Sequence, residues 1–228
     1  MHTKKHAVVT GVSSGIGKAI LASLLQNGWR VTGLSRRPPS ENYPAEFLFQ
    51  SIDLNDTAAL KRYLQGIAHV DAVIHAAGSM TAAGLGQLDE ERSRQLWQLH
   101  VHVAEILANT LLPKLPRGGR IVLIGSRTSK GMAGRSQYTA TKAALVAMAR
   151  SWAAELAPKG ITVNVIAPGA TDTPMLKQPN RQSSAPKLPP IGRYIMPSEV
   201  ADYVDYLLSP SAAAITGQEL MICGGASL

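Results

Sequence analysis

With a single cysteine, Cys223, the chain cannot form an internal disulfide, and nothing in its composition argues for an oxidising compartment. No apolar run is long enough to span a bilayer. The opening MHTKKHAVVTG passes straight into a β-branched run, without the apolar region and small-residue cleavage site of a secretory leader, so a cytoplasmic location is expected. Acidic residues are the scarcer charge: 15 against 23 lysines and arginines, with a formal net charge of +8 and a pI near 9.8. Such a balance suits anionic partners in general. The basic residues are scattered, however, in pairs at most, apart from a loose enrichment at Lys177, Arg181, Lys187 and Arg193. They form no basic and aromatic array, so neither nucleic acid nor a membrane is the expected partner.

What is present is the composition of a folded protein. Hydrophobic residues make up 45% of the 228 and charged residues 17%, enough to bury a sizeable core. Short apolar runs (HAVVT, RVTGLS, FLFQSID, VDAVIHAAG, RIVLIGS, ITVNVIAPG) alternate with longer amphipathic stretches. That rhythm predicts βαβ units, and the unbroken apolar character of the strands predicts a parallel sheet covered on both faces. In GIGKAILASLLQNG the apolar Ile16, Ile20 and Leu24 recur every four residues, and Gly28 stands at the helix C-terminus. Further helices are expected over 89–112, over 137–157 and from Pro197 to about Leu208. No linker divides the chain, so the expectation is a single domain with a Rossmann-type, doubly wound α/β fold. The proline-rich tract 176–196 is read as a substrate loop or lid.

Directly after the first apolar run comes TGVSSGIG, residues 10–17. Gly11, Gly15 and Gly17 there allow a tight turn, a close approach to a pyrophosphate and close helix packing, and the helix N-terminus offers N–H groups to the anion. In this strand, turn and helix context the glycines point to nucleotide binding. Tyr138 and Lys142, four apart in a helical segment, share one helix face. A lysine ammonium beside a tyrosine favours the phenolate and lowers a pKa that is ordinarily near 10. Ser126 ends RIVLIGS, where a hydroxyl can hydrogen-bond a substrate oxygen. Ser129 and Ser136 are the fallback serines.

The spacing TGxxxGIG, the AAG at 76–78, Ser126, the YTATK around Tyr138, the PG at 168–169 and the terminal ITGQELMICGG together resemble the short-chain dehydrogenase/reductase family over essentially the whole chain. The resemblance implies a hydride exchange between a nicotinamide cofactor and a small-molecule carbonyl or alcohol, such as a 3-oxoacyl thioester or a small ketone. It assigns Tyr138 to proton transfer, Lys142 to the tyrosine and to the nicotinamide ribose, and Ser126 to the substrate oxygen. It places Ser13, Ser14 and Ile16 with the glycines on the cofactor, Asp53 and Leu54 at the adenine, Ala76 and Gly78 beside the dinucleotide, and Pro168, Gly169, Thr171 and Thr173 near the nicotinamide. Asn164 resembles a position that braces the sheet. No metal enters the scheme. Arg36, where the ribose-reading residue falls, predicts a preference for NADPH, with NAD(H) possible. By resemblance the assembly is a homotetramer or homodimer, with 89–112 and 137–157 at the contacts.

Two positions depart from the family pattern. Counting thirteen back from Pro113, where an asparagine is usual, lands on His100, and Ala76 stands where an asparagine often precedes AG. One reading gives His100 a place in the proton path as a group titrating near 6.5; the other makes it a packing residue. The alternative to an enzyme is a sensor of the same fold that binds NADP(H) without turnover, against which the intact Ser126, Tyr138 and Lys142 argue.

Overall fold

The computed structural model describes residues 4–177 and 187–228. Seven parallel strands form one sheet in the order β3-β2-β1-β4-β5-β6-β7. They are β1 (His6–Thr10), β2 (Arg30–Ser35), β3 (Phe47–Ser51), β4 (Ala72–His75), β5 (Arg120–Ile124), β6 (Thr162–Pro168) and β7 (Glu219–Ile222). All residues of β1, β4, β5 and β6 are buried, which explains why these segments read as continuous apolar runs.

The helices are α1 (Gly15–Gln26), α2 (Thr57–Gln65), α3 (Glu90–Trp97), α4 (Val103–Leu111), α5 (Ser136–Leu156) and α6 (Pro197–Leu208). One face of the sheet carries α1 and α6, whose Ile20, Leu24, Val200 and Val204 close a core with Val9 and Ile74. The other carries α2, α4 and α5, with Leu60, Leu107, Leu145 and Leu156 packed on Val8, Val73 and Ile121. Burial of each such leucine contributes roughly 1.5–3 kcal/mol. At the end of α1 the chain turns at Gly28, whose φ of 79° is left-handed. Gly28 N–H donates to Leu25 O at 3.1 Å and Trp29 N–H to Leu24 O at 2.9 Å, the paired bonds of a Schellman stop.

The span expected as one helix over 89–112 is interrupted. A five-residue π turn, Gln98–His102, separates α3 from α4 and contains His100. Such one-turn expansions leave i→i−4 pairing and present carbonyls sideways, and they cluster at functional sites. Helix α2 and strand β7 complete the sheet and its cover beyond the elements expected as helix or strand from the sequence. Of the tract 176–196, residues 178–186 lie outside the described residues. Among the described residues no helix is long and apolar enough to cross a membrane.

Candidate active site

The chain order reverses on either side of β1, where β4 rather than β2 takes up the second half of the sheet. That switch point opens a crevice at the carboxyl ends of the strands. A cleft of about 570 Å³ lies there, walled by segments that follow β4, β5 and β6 and by the first turns of α5.

The glycine turn after β1 borders it. Gly11 has a φ of 76°, and a Cβ on it would stand 2.9 Å from the backbone of Ala77. A Cβ on Gly17 would overlap the carbonyl oxygen of Gly11, so both residues must be glycine for the turn to close. Ser14, at the N-cap of α1, gives no side-chain cap, and the first turn holds no acidic residue. The N–H groups and positive end of α1 therefore face the crevice available to an anion, which suits a dinucleotide pyrophosphate. Ile16 from the same turn lines the cleft.

Tyr138 and Lys142 come from α5 and Ser126 from the end of β5, and all three line the cleft. Lys142 is buried, with Nζ 5.8 Å from the centre of the Tyr138 ring and donating to Ile124 O at 2.8 Å. The strand that leads to Ser126 thus also anchors the lysine. Burial brings the lysine pKa down to about 7. Ser126 is buried, its Oγ accepting from Thr128 N–H at 3.2 Å and lying 3.0 Å from Thr128 Oγ1.

Beneath them lie two buried histidines whose protons can be assigned from their partners. Ser79 N–H, which can only donate, reaches His100 Nε2 at 3.0 Å, so the proton sits on Nδ1 and is donated to Thr141 Oγ1 at 2.8 Å. Thr141 in turn donates to Tyr138 O at 2.8 Å, and the His100 ring meets the Tyr138 ring edge-on at 5.7 Å. His75 follows the same logic. Thr10 Oγ1 accepts from Ala76 N–H and Ala77 N–H, at 3.1 and 3.0 Å, so its own hydrogen goes to His75 Nδ1 at 2.9 Å. Nε2–H of His75 then donates to Leu99 O at 3.0 Å, a carbonyl of the π turn. Burial, then the charge of Lys142, lower the pKa of His75 to about 3. Burial first, then Lys142 and His75, hold His100 well below 6.5. These surroundings favour the neutral ring of His100, which packs between the end of β4 and α5. The bracing expected of an asparagine at Ala76 is supplied by Thr10 and His75.

The remaining expected residues divide in two. Ala76, Gly78, Pro168, Gly169, Thr171 and Thr173 line the same cleft as Ser126. Gly11, Ser13, Ser14, Gly15 and Gly17 form the turn beside it, while Arg36, Asp53 and Leu54 follow β2 and β3 farther along the same sheet edge. Arg36 is exposed, its backbone held by Ser51 Oγ, which donates to Arg36 O at 3.1 Å. Asp53 is exposed and accepts from Asn55 N–H at 3.0 Å, while Asp56 caps α2; Leu54 is buried. Asn164 ties β6 to the segment before β7, donating to Ile215 O at 2.7 Å and accepting from Gln218 N–H at 3.1 Å. The fallback Ser129 is turned away, donating to Glu219. Of the basic residues 177–193, Lys177 pairs with Asp172 and Arg193 with Glu199, whereas Lys187 lines the cleft and Arg181 lies outside the described residues. Arg127 and Arg135 also line it, unforeseen from sequence. Their adjacency to Ser126 and Tyr138 was the available signal.

The profile of the family described as enoyl-(acyl carrier protein) reductase matches residues 11–227. The 3-oxoacyl-(acyl-carrier-protein) reductase FabG of Vibrio cholerae serotype O1 is 34% identical over 235 residues, covering 97% of this chain and 96% of that protein. Among solved structures, a short-chain dehydrogenase family protein from Francisella tularensis superposes with a TM-score of 0.89 at 26% identity, covering 98% of both chains. BdcA in complex with NADPH superposes at 0.85 with 29% identity, covering 98% of this chain and 94% of that one. With a glycine turn at the switch point and a tyrosine and lysine on one helix face opening into the crevice, the chain belongs to the short-chain dehydrogenase/reductase family of NAD(P)-dependent oxidoreductases.

Proposed function

We propose that the protein is an NADPH-dependent ketone reductase working through Ser126, Tyr138 and Lys142. The observation that carries this reading is the convergence of those three side chains on one cleft, with Lys142 fixed to Ile124 O and buried beside the tyrosine ring. When bound, the reduced nicotinamide supplies a hydride. Ser126 donates a hydrogen bond to the substrate oxygen and stabilises the charge that develops there. Tyr138 delivers its hydroxyl proton to that oxygen, and positive charge on Lys142 stabilises the phenolate left behind. The glycine turn and the N-terminus of α1 hold the pyrophosphate, Asp53 and Leu54 border the adenine, and Arg36 pairs with the 2′-phosphate. FabG, named for 3-oxoacyl-(acyl-carrier-protein) reduction, and BdcA, solved with NADPH, support the reaction class and the cofactor. The protein acts in the cytoplasm as a homotetramer or homodimer in this reading, which light scattering at micromolar concentration tests for assembly.

The deciding experiment follows cofactor oxidation against a panel of ketones and oxoacyl thioesters, with NADPH and NADH, before and after Arg36→Ala. Turnover with NADPH preferred, and that preference reduced in Arg36→Ala, is expected. An NADH preference in the parent enzyme overturns the role of Arg36. Cofactor binding without turnover across the panel favours the sensor instead.

A further inference from the structure

Ser126 stands where its strand has already ended. β5 stops at Ile124, and Gly125 N–H still donates to Ile166 O at 2.7 Å, but Ser126 lies beyond that ladder and opens the short helical turn Arg127–Lys130. Thr128 N–H donates to Ser126 Oγ at 3.2 Å and Ser129 N–H to Ser126 O at 3.0 Å. These bonds fix the shape of the turn but not its place against the rest of the cleft. The loop that leads on to α5 contains Gly131 and Gly134, with left-handed φ values of 115° and 70°, so the link from Ser126 to Tyr138 is a loose one.

The turn is held from outside by β7 and the segment that follows it. Arg127 Nη1 donates to Ala226 O at 3.0 Å, a charge-assisted bond, and Ser129 Oγ donates to the carboxylate of Glu219. The same segment grips the wall that follows β6. Gly169 N–H donates to Ile222 O at 2.9 Å, and a Cβ on Gly169 would stand 2.9 Å from Cys223 Cα, so the two backbones touch with no side chain between them. A third strand of chain is tied in where Ile191 N–H donates to Gly224 O at 3.2 Å. Ser126 and Gly169 both line the cleft, and the segments that carry them therefore meet on one turn, residues 222–226.

Resting on the reductase reading above, we propose that Arg127 is a positioning residue, which with the turn 222–226 clamps the Ser126 segment at a fixed separation from the wall at Gly169. In that reading Ser126 fixes the substrate oxygen and Gly169 borders the nicotinamide, so the clamp sets how the carbonyl carbon meets the hydride. Reaction rate is steep in that distance, a misplacement of about 1 Å being worth on the order of a hundredfold. The glycine turn that receives the pyrophosphate follows β1 and is not part of the clamp.

The test is a double-mutant cycle on kcat with the best ketone of the panel. Parent enzyme, Arg127→Met, Arg127→Lys, Ser126→Ala and the double variant Ser126→Ala with Arg127→Met are compared, and NADPH titration by fluorescence confirms that each is folded. Arg127→Met should lower kcat by about ten- to a hundredfold with NADPH affinity near the parent value, and Arg127→Lys, which keeps a cationic donor, should recover part of the loss. In the Ser126→Ala background the same change should alter kcat by less than about threefold, because the residue it positions is gone. Should Arg127→Met fail to fold, Ser129→Ala removes the other tie and supplies the same cycle. A kcat within about twofold of the parent, a loss confined to KM, or an equal loss in both backgrounds overturns this inference and leaves the reductase standing. Absence of turnover with every ketone overturns both.

Discussion

His75 allows a quantitative test of the polar layer under the site. Its pKa is about 3 in the folded protein, from burial and from the Lys142 charge, against 6.5 for an exposed histidine. A group whose folded pKa is depressed binds fewer protons folded than unfolded between those two values, so stability rises with pH there and is lost as pH falls below about 6.5. At about 1.4 kcal/mol per pH unit, acidification from about pH 7.5 to about pH 5 should remove about 2 kcal/mol through this one side chain. The perturbation is His75→Gln, which keeps an N–H donor for Leu99 O but cannot titrate. It forfeits the acceptor of the Thr10 hydroxyl, an offset present at both pH values. The assay is urea unfolding of both proteins at both pH values and one protein concentration, because an oligomer adds a mass-action term. Carboxylates and His6 titrate alike in the two proteins and cancel in the difference, and the pair is compared in a His100→Asn background because His75 also acts on His100. The variant should lose about 2 kcal/mol less than the parent on acidification. Equal losses would refute the neutral, buried assignment of His75 and with it the proton placement along Thr10, His75 and Leu99.

Tyr138→Phe should lower turnover by about two to four orders of magnitude while cofactor binding, followed by fluorescence, stays near the parent value. Activity within a few-fold of the parent would remove the tyrosine from the reaction. Gly17→Ala should abolish dinucleotide binding, because its Cβ meets the Gly11 carbonyl and the turn must open; a titration with unchanged affinity would show that the turn does not hold the cofactor. His100→Asn should leave the rate profile around pH 6.5 without any lost ionisation, since the ring is neutral throughout that range. His100→Ala should lower stability by about 1–3 kcal/mol, measured by denaturation, as Ser79 N–H and Thr141 lose their partner. An ionisation near neutrality that vanished in both variants would restore the histidine to the proton path.

The strands, α1 with its glycine stop, α5 and the glycine turn were readable from local pattern because each rests on short-range physics. Buried parallel strands need unbroken apolar runs, and Gly11 and Gly28 need a φ that other residues resist. Tyr138 and Lys142 were readable as a pair because helical spacing alone puts them on one face. The break in 89–112 was not readable, because local propensity there favours continuous helix and the π turn is tied to a ring from β4, 24 residues earlier. The protonation of His100 was equally out of reach. Its identity suggests a group titrating near 6.5, and only the three-dimensional packing against Ser79, Thr141, Lys142 and His75 sets it neutral. Arg127 and Arg135 were not singled out by the sequence for the same reason. Charge in a sequence has a sign but no surroundings, and it is the long-range closure of β5, α5 and the chain after β6 that turns those two residues into one wall of a cleft.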